Sequence, residues 1–412
     1  MNTLVYYLFA IAISLQSVSL TSGFFIYLSD LFILFFMVYA IIFYQKISVN
    51  FLSLSVLLLA FYILIANLLN YYLYEGYSFI GFITNYLKII AIVLMVLFSP
   101  SAIKGLDLGK LFKALKIILQ IHCLIVIFDH YIVYPWGFDG GLSFSASGEH
   151  DKLIGRARGL FEEPSFFALY AGLTFSLLIQ YNSLLKSKLL KHYDYIIIFS
   201  GLIASTSMTA LVIILITLGQ IIYTNKSNIL TFGMSVRGVL IAIPTILISL
   251  PLIALILFGS INYLSGRVTD SGNIYRFVGS AMFVAEIAEE RPLIGVGLGG
   301  QNQRNFTNLL DETLELDTDD SSLDIFYNPS SYWGGLISAG GLPSVLIFYC
   351  MILGMIIKSE TRFLAILIFA MGITKGGVFD LYLWLIIVMS ISISFFKLED
   401  KKFNVSTEYE KK

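Results

Sequence analysis

The sequence predicts an all-α integral membrane protein with about 12 transmembrane helices, organised as one polytopic domain over residues 1–412. Three observations predict it. Of the 412 residues, 58% are apolar and only 13% are charged, about half the ~25% charge content of a soluble protein. Apolar runs near 20 residues recur along the chain, the length that crosses a hydrocarbon core about 30 Å thick. Lysine and arginine gather in alternate short loops, as they do on the cytoplasmic side of membrane proteins.

The runs come in order. Clear ones occupy about 3–20, 24–44, 50–70, 79–98, 111–134, 164–183, 237–259 and 331–357. No positive charge precedes the first run and no small-residue cleavage site follows it, so it reads as a retained helix and not as a signal peptide. Two further stretches are too long for one span and too short for two ordinary ones. The first, 193–224, is broken by Ser205, Thr206, Ser207 and Thr209, and the second, 361–396, by Thr374, Lys375, Gly376, Gly377 and Asp380. Each is expected to be a pair of short helices. Twelve spans then put both termini on one side.

Charge bias makes that side cytoplasmic. Lys46, Lys104, Lys110, Lys113, the Lys186/Lys188/Lys191 cluster, Lys226, Arg237, Lys358 and Arg362 all fall in loops facing it. The opposite orientation would export the Lys186–Lys191 cluster. Residues 135–163 and 260–330 become two long extracytoplasmic loops. Within the second, Ile274, Phe277, Val278, Ala281, Val284, Ala285 and Ala288 share one face of an amphipathic helix over 274–288, suited to lie along the membrane surface. The acidic stretch from Asp311 to Asp324 reads as a solvated outer loop.

Several chemistries are excluded. A net charge of -1 gives no reason to propose a nucleic-acid partner. Cys123 and Cys350 lie far apart in apolar runs and form no CxxC pair. The four histidines, His122, His130, His150 and His192, have no metal-ligand spacing. No metal and no cofactor are expected. Gly295–Gly300 is not a nucleotide fingerprint, because no βαβ unit surrounds it.

Ionisable groups within a membrane are functional candidates by default. Asp30, Asp129, His130 and Lys88 are all expected toward the outer side, with Lys88 beside Thr84 and Asn85. A transporter instead concentrates polar groups at the midplane, in discontinuous helices. Six arginines fall outside the cytoplasmic loops: Arg156, Arg158, Arg267, Arg276, Arg291 and Arg304. The planar guanidinium grips phosphate oxygens and stays protonated, so an outer site rich in arginine suits a lipid-linked phosphate. The plainer alternative pairs these arginines with loop acids.

The segment GRARGLFEEPSFFALYAG, from Gly155 to Gly172, resembles the core motif of the O-antigen polymerase and O-antigen ligase superfamily, through Arg156, Arg158, Gly159, Pro164 and Ala168. The resemblance continues at STSMTA (Ser205–Ala210), where relatives often carry a Ser-Arg turn and this chain has Met208. It extends to Arg276, to RPLIGVGLGG (Arg291–Gly300) and to YNPSSYWGGLISAGGLPSVLIFY (Tyr327–Tyr349). Ligases of the superfamily carry a histidine before the Asn that precedes helix ten. Here that position is Tyr327, followed by Asn328, which favours the polymerase branch.

The resemblance implies a GT-C-like helical bundle in the bacterial cytoplasmic membrane. It implies polymerisation of undecaprenyl-diphosphate-linked oligosaccharide repeat units at the outer face, with a chain-length regulator protein as a further partner. Donor and acceptor are both lipid-linked glycans, and the leaving group is a diphosphate. Arg158 and Arg276 are the first candidates to stabilise its charge; Arg156, Arg291 and Lys88 are further substrate-binding candidates. Glu163 and Glu162 are candidates to accept the hydroxyl proton. Their plainer role is to complement the dipole of a Pro-started helix, worth about 0.3–1 kcal/mol. Tyr327 and Asn328 are candidates to hold acceptor hydroxyls, and Tyr332 or Trp333 to stack on a sugar; aromatic residues also populate membrane interfaces for other reasons. Two alternatives stand beside this reading: an O-antigen ligase, and a lipid-linked sugar flippase or secondary transporter.

Overall fold

The computed structural model describes residues 3–15, 28–44, 46–74, 77–133, 157–161, 163–225, 285, 287–299, 332–374 and 379–409. The expected span at 237–259, most of both long loops, and most of the amphipathic segment 274–288 lie outside the described residues. So do Arg156, Glu162, Arg276, Tyr327 and Asn328.

The described residues are helical throughout their ordered elements: α1 (Thr3–Ser14), α2 (Leu28–Tyr44), α3 (Phe51–Leu73), α4 (Phe79–Lys104), α5 (Leu108–Phe128), α6 (Pro164–Leu184), α7 (His192–Ala204), α8 (Met208–Thr224), α9 (Tyr332–Ile357), α10 (Arg362–Thr374) and α11 (Leu381–Tyr409). Four helical segments, Phe51–Leu73, Phe79–Lys104, Leu108–Val133 and Tyr332–Ile357, are long and apolar enough to cross a membrane. The outward face of α3 is apolar at Leu54, Leu58, Phe61, Leu68 and Leu69, which suits contact with lipid tails.

Local chemistry sets the ends. Asn50 caps α3 in a reciprocal box with Ser53, accepting its N–H at 3.0 Å and donating its own N–H to the Ser53 hydroxyl at 2.8 Å, which satisfies two otherwise orphan donors. Asp107 caps α5 by accepting the Lys110 N–H at 3.1 Å. That backbone bond and the Lys110 ammonium hold the exposed Asp107 carboxyl below its ordinary range. α4 runs six residues past the expected end, through Pro100 to Lys104. α5 ends at Phe128, and Asp129–Val133 continue as a π-turn, a widening that often accompanies functional groups.

α6 is the central element. Every residue from Phe167 to Tyr181 is buried, and α5, α7, α8, α10 and α11 surround it. Burial on all sides explains its modest apolarity. Its inward hydroxyls and amides find partners, with Ser176 donating to Gln220 at 2.8 Å and Gln180 accepting from Ser390 at 2.6 Å. Between α5 and α7, the Asp194 carboxylate is buried and takes up Lys116 at 3.3 Å, Gln120 at 2.6 Å and the Lys191 N–H at 2.7 Å.

Both ambiguous stretches are helix pairs. α7 and α8 meet at Ser205–Ser207, where Thr206 adopts the left-handed conformation with φ of 50°. α10 stops at Thr374 and α11 starts at Leu381. α7 and α10 have 13 residues each, about 20 Å at 1.5 Å per residue, so neither crosses a core of about 30 Å alone. α9 is also interrupted: Gly340 and Gly341 are non-helical, and Gly341 has φ of 67°.

Candidate functional site

Packing draws one end of the bundle together around four polar features. The first is the turn 157–161, which leads into α6. Gly159 has φ of 60°, and a Cβ there would lie 2.8 Å from the Val126 side chain, so only glycine lets the turn settle on α5. The turn closes through Phe161 N–H donating to Arg158 O at 3.2 Å. It buries Arg158 to 3% exposure. Pro164 then opens α6 at a position where its missing N–H costs nothing.

Glu163 is the residue before that proline, with extended backbone at φ −136° and no side-chain capping bond. Its carboxylate instead accepts the Ser165 hydroxyl at 3.0 Å. Side-chain capping of α6 is therefore not its role, although its charge still lies at the positive end of the helix.

The second feature is an aromatic column running from the arginine turn into the bundle. Phe161 packs on Tyr170 at 5.3 Å between ring centroids, and Tyr170 on Tyr382 at 5.4 Å. The Tyr382 hydroxyl pairs with Thr174 at 2.5 Å. His122 joins the column against Phe161 and Tyr170, and its Nε2 bonds to the Ser14 hydroxyl at 2.9 Å.

The third feature lies two residues from the column. Asp380, partly exposed in the break before α11, lies within electrostatic reach of Asp30 on α2 and Lys88 on α4. Its Oδ1 accepts the Tyr382 N–H at 3.0 Å. The Tyr332 phenol, also within reach of Asp380, is buried and has no hydrogen-bond partner among the described residues. Thus the structure brings Asp380, in sequence one of the residues that interrupt the stretch 361–396, to both Lys88 and Asp30. An isolated carboxylate inside an apolar stretch is itself a sequence signal of a functional group.

The fourth feature is the glycine-rich segment 291–299, folded into the bundle against α3, α4 and α9. Asn67 is its anchor: its side chain accepts the Leu298 N–H at 2.6 Å and donates to Ala339 O at 2.9 Å. Asn70 donates to Ile294 O at 3.1 Å and Asn85 to Leu298 O at 3.1 Å. Gly297 N–H donates to Ser338 O, and Leu342 N–H to Pro292 O, each at 2.8 Å. Gly295 has φ of 63°, and a Cβ there would sit 2.2 Å from Ile337 O. The glycines therefore serve close backbone approach. Arg291 stacks on Tyr74, its guanidinium carbon 3.6 Å from the ring centroid.

The predicted residues are thus only partly gathered. Arg158 and Glu163 share the turn before α6, Lys88 joins Asp30 and Asp380, and Arg291 rests on α3 through Tyr74. Tyr332 lies within electrostatic reach of Asp380, and the half-buried Trp333 packs against Phe348 and Phe369. Among the described residues no group of three His, Cys, Asp or Glu side chains has the geometry of a metal site.

No protein-family model matches the chain, and no curated protein matches it.

Proposed function

We propose that this chain is a membrane glycosyltransferase. In this reading it polymerises undecaprenyl-diphosphate-linked oligosaccharide repeat units into O-antigen or a related polysaccharide, at the outer face of a bacterial cytoplasmic membrane. The observation that carries the proposal is Arg158. It is 3% exposed, held by a glycine turn at the head of the central helix, within the segment Gly155–Gly172 that resembles the superfamily's core motif.

A guanidinium fixed in a partly dehydrated setting is suited to the negative charge that grows on a departing diphosphate. Arg276, with Arg156 and Arg291, completes the proposed phosphate-binding set, and Lys88 supports it from α4. Twelve spans in a GT-C-like arrangement, cytoplasmic termini and two long outer loops belong to the same proposal. So does metal independence, since fixed arginines supply the charge that a cation would otherwise provide.

Purified protein mixed with lipid-linked repeat units from its own host should yield a ladder of products on a gel. Failure of the wild-type protein to extend any such unit would remove the glycosyltransferase reading. One observation favours a second reading, a lipid-linked sugar flippase or transporter. Helix breaks at Gly340–Gly341 and before α11, with Lys88, Asp30 and Asp380 beside the latter, are features of transport sites. A ladder formed in detergent, where no compartments exist, cannot arise from transport. Scrambling of a fluorescent lipid-linked sugar across proteoliposomes without any ladder would instead favour the flippase.

A further inference from the structure

Among the described residues, Asp380 combines a fixed orientation, partial exposure and a buried hydroxyl within electrostatic reach. Its Oδ1 is held by the Tyr382 N–H at 3.0 Å, and no hydrogen bond to its second oxygen is found among the described residues. The residue lies immediately before the first turn of α11. Among the described residues, Asp30 from α2, Lys88 from α4, Tyr332 from α9 and Tyr382 from α11 are the charged and titratable groups within its electrostatic reach.

Tyr332 supplies the independent observation. A buried phenol normally finds a partner, yet its hydroxyl, 1% exposed as a residue, has none among the described residues. A hydroxyl-bearing ligand beside Asp380 would satisfy it. The aromatic column ties this place to the arginine turn: two ring contacts, at 5.3 and 5.4 Å, connect Phe161 to Tyr382.

We propose that Asp380 is the proton acceptor for the attacking sugar hydroxyl, with Tyr332 holding the same acceptor sugar. The inference rests on the glycosyltransferase reading and replaces Glu163 in that role, because Glu163 faces Ser165 at the helix start. In the step, the acceptor oxygen forms a bond to the anomeric carbon of the donor. The bond from that carbon to the diphosphate oxygen breaks, and the electron pair leaves with undecaprenyl diphosphate near Arg158. The hydroxyl proton passes to the second oxygen of Asp380 and then to water. No oxidant, reductant or metal enters the balance.

The test uses the full chain and lipid-linked repeat units extracted from a host lacking it. Asp380→Asn should insert normally, melt at the wild-type temperature and bind the donor with unchanged Kd, yet polymerise about a hundred- to ten-thousand-fold more slowly. Asp380→Glu should keep part of the rate with a displaced acid limb in its pH–rate profile. Glu163→Gln should still give a ladder. Near-wild-type polymerisation by Asp380→Asn would overturn the proposal while leaving the polymerase standing. If Asp380→Asn does not fold, an unshifted acid limb in Asp380→Glu overturns it equally. Absence of a ladder from the wild type removes the parent reading instead, so the two failures are distinct.

Discussion

At the scale of single residues, charge and geometry make separable demands. If Arg158 binds diphosphate oxygens through its planar fork, Arg158→Lys should fail nearly as badly as Arg158→Ala, because lysine keeps the charge but not the two-point grip. Losing one such donor costs about 2.7–4 kcal/mol, or about a hundred- to thousand-fold in polymerisation rate. Arg276→Lys should behave alike. Ladders of normal intensity from both lysine variants would reduce these arginines to background electrostatics. A different residue-scale prediction concerns Gly295. Its left-handed backbone costs a side chain about 1–3 kcal/mol, and the Ile337 carbonyl stands where a Cβ would go. Gly295→Ala should therefore lower the melting temperature in detergent, and an unchanged melting curve would show that the segment yields easily.

Among elements, the segment 291–299 and the helices α3 and α9 form one unit, and Asn67 ties them. Removing that amide strands the Leu298 N–H and the Ala339 carbonyl, each a buried group that costs about 1–3 kcal/mol without a partner. Asn67→Ala should lower the melting temperature and expose the glycine segment to protease before the rest of the chain. Cleavage kinetics identical to wild type would mean the tie is dispensable. The sequence singled out this segment through its glycines, and it singled out both helix pairs through their polar interruptions. It did not reveal the role of Asn67, which in sequence is one of two asparagines, with Asn70, in an apolar run. Only its partners, more than 200 positions away, show what it does. Asp380 escaped for the same reason. A carboxylate between two apolar stretches reads as a break until Lys88, Asp30 and Tyr332 are seen around it.

For the whole molecule, orientation is the first thing to measure. With Cys123 and Cys350 replaced, Glu315→Cys should react with a membrane-impermeant thiol reagent in intact spheroplasts, and Lys188→Cys should not. The reverse pattern would invert the topology and move the proposed site to the cytoplasmic side. The chemistry makes a second whole-molecule prediction: polymerisation should persist in excess EDTA. Loss of the ladder in chelator, with recovery in magnesium or manganese, would overturn arginine-only stabilisation of the leaving group.

What the sequence by itself determined is local. Apolar runs of about 20 residues, Pro164 at a helix start and the interruptions at Ser205–Ser207 and Thr374–Asp380 locate helices and their ends, because hydropathy and backbone constraints act over a few turns. The depth of a lone charge can be estimated the same way, and so Lys88 and Asp30 stood out. Tertiary structure alone decided which of these groups meet. It made α6 the buried centre, seated the glycine segment among α3, α4 and α9, and brought Asp380 to Asp30 on α2 and Lys88 on α4. Those contacts depend on how helices distant in sequence pack side by side, and no periodicity along one chain encodes a neighbour hundreds of residues away.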